Sequence, residues 1–229
     1  NERTPQKAAQ ERFINGSILE LKGQIPEAIN QYLEALKYDP QPGIYFAIAK
    51  NYFIINKLSS ALNYSRTAVR LDSLNTDYLF LLANIYSVSR LDDSSMAVYE
   101  KIIASDSNNY AAYFQLAQLN EKKRPNYSLT IYKKLIDAIG PEWNILIRII
   151  DLNDRLGNVD ATIDTFEELL KMNPSDIRLQ KVLIESYMKS KKYDKAKSLI
   201  DEALVSFPED LNLYEMKGSL YIQNSEWGN

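Results

Sequence analysis

The chain has 229 residues, of which 45% are hydrophobic and 25% are charged, and its formal net charge is −3. It contains no Cys and no His, which excludes disulfides, thiolate chemistry and the usual general base near neutral pH. A weakly acidic chain without a basic stripe argues against a nucleic-acid surface. No apolar run approaches the roughly 18 residues that indicate a membrane span.

Phenylalanines mark a regular repeat along the sequence. Phe13, Phe46, Phe80 and Phe114 follow one another at steps of 33, 34 and 34 residues. Residues 1–8 are predicted to be a polar lead-in. The predicted repeats are 9–41, 42–75, 76–109, 110–142, 143–176 and 177–210, with a partial repeat at 211–229. Each repeat contains two apolar patterns of helical spacing joined by a short polar link, which predicts thirteen antiparallel helices within residues 9–223.

Three positions of the repeat carry a recurring residue type. Positions are counted from the first residue of each repeat, so that Phe13, Phe46, Phe80 and Phe114 occupy position 5. Position 8 is Gly16, Ala49, Ala83, Ala117, Ile150, Ile184 and Gly218. Position 20 is Ala28, Ala61, Ser95, Ser128, Thr162 and Ala196, if the turn of the fourth repeat is one residue shorter. Position 24 is Tyr32, Ser65, Tyr99, Tyr132, Phe166 and Ile200. Pro40, Pro174 and Pro208 close three of the repeats.

This pattern resembles the tetratricopeptide repeat family, whose signature is W-x2-L-G-x2-Y, then A-x3-F, then a terminal Pro. The resemblance covers residues 9–229. It implies an all-α solenoid, one domain of about six and a half stacked helix-turn-helix repeats that wind into a right-handed superhelix.

The small residues at positions 8 and 20 allow two helix backbones to approach closely. Ile150 and Ile184 depart from this rule, so we expect wider helix packing in the fifth and sixth repeats. Ser175 and Asp92 lie where helix N-caps are expected.

The last predicted helix, in the partial repeat, has no second helix of its own. Leu213, Leu220 and Ile222 are therefore expected to lack a covering partner. Together with a first residue that is not Met, this favours a fragment cut inside a longer repeat array. A natural short C-terminus is the alternative.

In the family that the sequence resembles, the first helix of each repeat lines a concave groove that holds a peptide. The resemblance implies a groove formed by Phe13, Phe46, Lys50, Phe80, Asn84, Phe114, Gln118, Ile147, Arg148, Asp151, Arg155 and Lys181. The four position-5 phenylalanines are either an exposed apolar stripe that anchors a ligand or part of the core. The charged residues after them either read the charged flank of a ligand or form ordinary surface ion pairs.

A carboxylate clamp of the kind found in chaperone adaptors is not expected. That clamp needs Lys at position 5 and Asn at position 9 of successive repeats. In the first three repeats, position 5 is Phe, and position 9 is Ser17, Lys50 and Asn84.

The favoured function is a protein–protein interaction scaffold, with a peptide or protein as partner and with no enzyme activity, cofactor or metal. Asp151 and Asp154 are three residues apart, but this spacing is typical of a solvated helix face. An alternative is the substrate-recruiting or regulatory arm of a larger enzyme or envelope assembly protein. RNA binding by a related helical repeat is disfavoured by the phenylalanines and the acidic balance. The composition fits either the cytoplasm or a bacterial periplasm or cell envelope, and the Asn-, Ile-, Lys- and Tyr-rich texture weakly favours a bacterial protein.

Overall fold

The computed structural model describes residues 4–226, which form thirteen α-helices and contain no strand. The helices are α1 (Pro5–Leu21), α2 (Ile25–Leu36), α3 (Pro42–Ile54), α4 (Leu58–Leu71), α5 (Thr76–Val88), α6 (Asp92–Ser105), α7 (Tyr110–Asn120), α8 (Pro125–Ile139), α9 (Trp143–Leu156), α10 (Val159–Met172), α11 (Ile177–Lys189), α12 (Tyr193–Ser206) and α13 (Leu211–Glu226). The predicted all-α repeat fold is confirmed. Helix α1 begins at Pro5, so part of the predicted lead-in is helical. We call the first helix of each repeat its A helix and the second its B helix.

The helices group into two compact units, Asn1–Lys122 and Lys123–Asn229. Unit 1 contains α1–α7 and unit 2 contains α8–α13. Within each unit, every helix packs against the next one in the chain. The division falls in the fourth repeat, between its A helix and its B helix, and the single solenoid over 9–229 stays a prediction.

The turn from A helix to B helix has the same conformation in five repeats. The residue at position 15 has a positive φ in each of them: Gly23 (74°), Asn56 (56°), Arg90 (61°), Gly157 (72°) and Lys191 (58°). The following N–H donates to the carbonyl oxygen of position 11 at 2.8–2.9 Å. This is the hydrogen bond of a Schellman motif, which satisfies a carbonyl at the end of the A helix. The shorter fourth repeat turns differently, with Arg124 at φ −141°.

The small residues are buried where A and B helices meet. Ala49, Ala61 and Ala83 have no exposed surface. A Cβ atom added at Gly16 would lie 2.6 Å from Cε1 of Tyr32, so α2 approaches α1 as closely as a glycine allows.

Helix pairs with an isoleucine at position 8 are packed less closely. The α9–α10 and α11–α12 pairs, which contain Ile150 and Ile184, make less extensive backbone contact than the α1–α2 and α3–α4 pairs. This agrees with the wider packing predicted for the fifth and sixth repeats.

Both predicted N-caps are wrong. The N-cap of α11 is Asp176, whose carboxylate accepts hydrogen bonds from the backbone N–H groups of Arg178 and Leu179. The N-cap of α6 is Leu91, because the turn before α6 fixes that residue at position 16. Asp92 is instead the first residue of α6, where a carboxylate still interacts favourably with the positive end of the helix.

The prediction that Leu213 and Leu220 lack a covering partner is also wrong. Both are buried, at 0% and 2% exposure, in a cluster that includes Ile200 and Ala203 of α12. One side of α13 therefore packs on the preceding repeat. Ile222 is 62% exposed.

Candidate functional site

The position-5 phenylalanines of unit 1 are half-buried, and in two repeats they rest on an aromatic ring of the B helix. The Phe13 ring lies 5.2 Å from that of Tyr32, and the Phe80 ring lies 5.7 Å from that of Tyr99 in an edge-on arrangement. Both tyrosines occupy position 24 of the same repeat. Each phenylalanine therefore packs on the core with one part of its ring and leaves the rest accessible.

The second repeat differs, because its position 24 is Ser65. The Phe46 ring lies instead 4.9 Å from the ring of Tyr78, at the start of the next A helix. The Ser65 hydroxyl is buried and has no hydrogen-bond partner in the described residues. Phe114, on α7, is half-buried like the other three.

Tyrosine hydroxyls connect the B helices to position 9 of the A helices. The Tyr99 hydroxyl donates to Oδ1 of Asn84 at 2.6 Å, and the Tyr32 hydroxyl lies 3.2 Å from Oγ of Ser17. Burial raises the pKa of Tyr99 to about 12, so this hydroxyl keeps its proton at physiological pH. The rings behind the phenylalanines are thereby held in fixed orientations.

Glu20 is the centre of a polar network between the first and second repeats. It accepts hydrogen bonds from Nζ of Lys50 at 2.5 Å, from Nδ2 of Asn51 at 2.8 Å and from the Tyr32 hydroxyl at 2.9 Å. Burial alone would raise the pKa of Glu20, but the hydrogen bonds from Lys50, Asn51 and Tyr32 outweigh it and leave this pKa lowered. The predicted groove residue Lys50 is thus paired with Glu20, while its side chain remains 43% exposed.

A pocket of ≈ 270 Å³ lies beside Phe13, between α1 and α3. We call it the α1–α3 pocket. It is lined by Gln6, Ala9, Gln10, Phe13, Asp39, Gln41, Gly43 and Ile44. Of the sequence-predicted residues, only Phe13 lines it. The others come from the first turns of α1, from the loop before α3 and from the first turn of α3.

A second pocket, of ≈ 490 Å³, collects predicted residues on α9. It is lined by Trp143, Asn144, Ile147, Arg148 and Asp151. Trp143 and Ile147 are 43% and 41% exposed, an unusual degree of exposure for side chains of this size. Trp143 was not predicted, because it occupies position 1 of its repeat. An exposed Trp143 ring beside Ile147 indicates a candidate binding residue, and the repeat pattern of the sequence does not reveal this exposure.

Three of the predicted charged residues of unit 2 take part in ion pairs. Nη2 of Arg155 lies 3.1 Å from Oδ2 of Asp151, one helical turn away. Nζ of Lys181 lies 2.7 Å from Oδ2 of Asp210, which brings α11 to the start of α13. Asp151, Arg155 and Lys181 therefore each have an ion-pair partner within unit 2, and their part in binding stays a prediction.

Another pocket, of ≈ 490 Å³, lies outside the predicted groove, between α10, α11 and α12. Leu170, Leu183 and Leu199 form its apolar lining. At its rim, Oε1 of Glu167 accepts hydrogen bonds from the Tyr187 hydroxyl at 2.7 Å and from Nζ of Lys195 at 2.9 Å. These two hydrogen bonds lower the pKa of Glu167.

The carboxylates of Asp151 and Asp154 on α9 have structural partners. Asp154 accepts a hydrogen bond from the Thr162 hydroxyl at 2.8 Å and Asp151 pairs with Arg155, so each carboxylate has its own structural partner. Residues 4–226 contain no group of three carboxylates that could hold a metal ion. Across the same residues, none of the helices is both long and apolar enough to cross a membrane.

Comparisons with known proteins agree with this architecture. A family model described as tetratricopeptide repeat matches residues 155–220. A curated relative, the RNA polymerase-associated protein CTR9 of Caenorhabditis elegans, is 24% identical over 213 residues, covering 88% of this chain and 16% of the relative. The chain thus spans about a sixth of the length of that protein.

Two solved structures have a similar fold. A tetratricopeptide repeat protein from Parabacteroides merdae is 16% identical, with a TM-score of 0.68, over 96% of this chain and 88% of its own. YrrB, described as a tetratricopeptide repeat protein with an unusual peptide-binding site, is 17% identical, with a TM-score of 0.57, over 82% of this chain and 97% of its own.

The thirteen helices and their recurring turn define a helical-repeat protein. Within that class, the family match over residues 155–220 and the shared fold confirm the predicted resemblance to tetratricopeptide repeat proteins. Proteins of this type are generally scaffolds rather than catalysts.

Proposed function

We propose that the chain is a scaffold that binds a peptide or protein segment along the position-5 face of its A helices. The observation that carries this proposal is the repeated half-burial of Phe13, Phe46 and Phe80. A ring that is fixed by a tyrosine at one side and accessible at the other loses little side-chain freedom on binding. Rigid aromatic side chains of this kind are common anchors of protein interfaces.

The α9 pocket supports the same proposal in unit 2. Trp143 and Ile147 provide an apolar surface, and Arg148 and Asp151 provide charge at its edge. Apolar contacts of this kind contribute affinity, and charged groups at the edge contribute orientation and choice of partner. In unit 2, Arg148 and Asp151 are therefore proposed to read the charged flank of a segment bound at this pocket.

The relatives support a role in binding rather than catalysis. YrrB is described by its peptide-binding site, and CTR9 is described by its association with RNA polymerase. Because this chain matches 16% of CTR9, we propose the shared repeat as an interaction module, which is equally compatible with the recruiting arm of a larger protein.

The test uses a displayed library of random 12-residue peptides, selected on the whole chain. Affinities of the selected peptides are then measured for the Phe80→Ala variant by fluorescence anisotropy. Loss of an anchoring aromatic is expected to weaken binding by about 30-fold or more, the equivalent of about 2 kcal/mol. Because Phe80 also packs on Tyr99, we expect a lower melting temperature as well, so affinity is measured at a temperature where the variant is folded.

Tyr64→Ala provides the matched control. Tyr64 is a half-buried aromatic residue of α4 that stacks on Tyr52 at 5.7 Å, and it lies on a B helix. This variant is expected to lose stability but to keep its affinity for the selected peptides. Equal affinity of wild type and Phe80→Ala would reject the position-5 face as the binding surface.

A further inference from the structure

The lining of the α1–α3 pocket combines apolar walls with a single charge. Ala9, Phe13 and Ile44 provide the apolar surface, and Ala9 and Ile44 are themselves buried, at 4% and 5% exposure. The volume of ≈ 270 Å³ is below the range of about 300–1,000 Å³ that is usual for drug-sized ligands. A pocket of this size and shape suits one long side chain.

The polar part of the pocket is rich in hydrogen-bond acceptors. Asp39 is the one charged residue of the lining, and its Oδ1 accepts a hydrogen bond from Nε2 of Gln41 at 2.9 Å. Within residues 4–226, no hydrogen bond reaches the second oxygen, Oδ2. Gln6 and Gln10 add two more amide groups, whose oxygens are further acceptors.

An arginine side chain matches this combination. Its aliphatic stem packs on apolar walls while its guanidinium stays at the polar end, as long cationic side chains do at protein surfaces. The guanidinium carries five N–H donors in a planar fork, which suits one carboxylate oxygen and several amide oxygens at once. Hydrogen bonds between a guanidinium and a carboxylate are stronger than those between neutral groups.

We propose that the α1–α3 pocket is a subsite for an arginine side chain of the bound segment, with the stem between Phe13 and Ile44 and the guanidinium at Asp39. The proposal rests on the proposed scaffold function and names one chemical feature of the partner. It places this arginine next to the first of the position-5 phenylalanines, so the arginine precedes or follows an apolar stretch in the segment.

Blocked single amino acids test the subsite alone. The probes are the N-acetyl, N-methylamide derivatives of arginine, norleucine and glutamate, added to the whole chain labelled with ¹³C in its isoleucine methyl groups. Shifts of the Ile44 methyl signals report occupancy of the pocket. We expect the arginine probe to bind about fivefold more tightly than the norleucine probe at low salt, because only arginine gains the charged contact with Asp39.

The Asp39→Asn variant is expected to abolish that preference while keeping the weak binding of norleucine. Asp106→Asn is the matched control. Asp106 occupies position 31 of its repeat, as Asp39 does, but it does not line the pocket. Both substitutions change the net charge by the same amount. The control is expected to bind all three probes as the wild type does.

Two results would overturn the proposal. Equal binding of arginine and norleucine would make the pocket a neutral apolar one. If glutamate bound most tightly, and more tightly still to Asp39→Asn, the pocket would instead attract anions through the positive N-terminal ends of α1 and α3. Either result would leave the scaffold function standing, because the probes do not span more than one repeat. Conversely, the selection could yield no peptide while the arginine probe still binds. That outcome would reject the scaffold function but support the arginine pocket.

Discussion

Unit 1 and unit 2 build the same repeat with different interiors. In α2 and α6 of unit 1, a position-24 tyrosine stands behind a position-5 phenylalanine and its hydroxyl is bonded to the A helix. In α10 and α12 of unit 2, position 24 is Phe166 and Ile200, and the A-helix residues at position 5 are Ile147 and Lys181. At position 5, unit 1 therefore presents aromatic rings, two of which are fixed by a tyrosine, whereas unit 2 has Ile147 and Lys181 there.

The units also differ in how successive repeats are connected by charge. In unit 1, the Lys50–Glu20 pair includes a carboxylate of which only 18% is exposed. Among the described residues of unit 2, four ion pairs join different helices or the turns beside them: Lys181–Asp210, Lys192–Asp160, Lys195–Glu167 and Lys217–Asp201. Exposed pairs of this kind add little stability. The cohesion of unit 2 must then come mainly from its aliphatic cluster.

The largest expected effect tests that conclusion. Ile184 is fully buried at position 8 in unit 2, where unit 1 has alanine or glycine. Ile184→Ala is expected to cost about 2–5 kcal/mol of unfolding free energy, because it leaves a cavity between helices that are spaced for the larger side chain. Urea denaturation measures the loss, and hydrogen exchange assigns it to unit 2.

Val182→Ala serves as the control, since Val182 lies two residues away and is 40% exposed. Its cost is expected to stay within about 0.5 kcal/mol. A cost below about 1 kcal/mol for Ile184→Ala would show that α11 and α12 close up easily. Position 8 would then not distinguish the two units.

The next effect probes position 8 in unit 1. A Cβ at Gly16 would overlap the ring of Tyr32, which is only 1% exposed and is held by Glu20. Gly16→Ala is therefore expected to destabilise by about 1–3 kcal/mol through overpacking. Gly218 holds the same position in α13, where an added Cβ meets nothing within 4 Å.

Gly218→Ala should accordingly stabilise by about 0.5–1 kcal/mol, because alanine favours a helix interior. Thermal melts of both variants show whether each substitution lowers or raises the stability. A gain in Gly16→Ala would mean that Tyr32 can move, and that the tyrosines of unit 1 are not fixed supports.

A smaller effect concerns the charge network of unit 1. Glu20→Gln keeps an acceptor oxygen but loses the ionic contact with Lys50, which is expected to cost about 1 kcal/mol at pH 7. Because the pKa of Glu20 is lowered from 4.5, its contribution is present above pH 4.5 and is lost as pH falls through the folded-state pKa. The stability difference between wild type and variant should therefore shrink below pH 4.5.

Urea denaturation from pH 7 down to pH 3 measures that difference. A difference that stays constant over the whole range would argue that Glu20 acts through packing rather than through its charge.

Repetition made the fold predictable from the sequence. One apolar pattern seen six times predicted the number of helices and the close approach of helices at positions 8 and 20, since chance similarities do not keep a register over that length. The contacts of Leu213 and Leu220 were missed for a related reason. An A helix packs on the B helix of the preceding repeat as well as on the B helix of its own repeat. The signature describes only the contact within one repeat.

The candidate site was less predictable because it depends on residues outside the signature. Trp143 and the α1–α3 pocket involve helix starts and loops, whose residues have no fixed type in the repeat. The partner of Phe46 changed from position 24 to Tyr78 because Ser65 is too short to reach it. Such a local exchange follows from side-chain geometry, and the repeat period does not reveal it.

The smallest predicted effect concerns the feature that both units share. Arg90 in unit 1 and Lys191 in unit 2 adopt the left-handed conformation at position 15, where Gly23 and Gly157 serve in other repeats. This conformation costs a non-glycine residue about 1–2 kcal/mol. Glycine avoids that cost but loses more backbone entropy on folding, by about 0.5–1 kcal/mol.

Arg90→Gly is therefore expected to gain about 0.5–1 kcal/mol, the difference between these two costs. Lys191→Gly should give a similar gain, because the turns have φ values of 61° and 58° and the same hydrogen bond to position 11. Gly23→Ala, the reverse change, should lose stability, and thermal melts compare all three. Similar gains in the two units would show that the turn is energetically independent of the helix packing around it. A gain confined to one unit would show instead that the helix packing of that unit strains its turns. The two units would then differ in the conformational energy of their backbones as well as in their side chains.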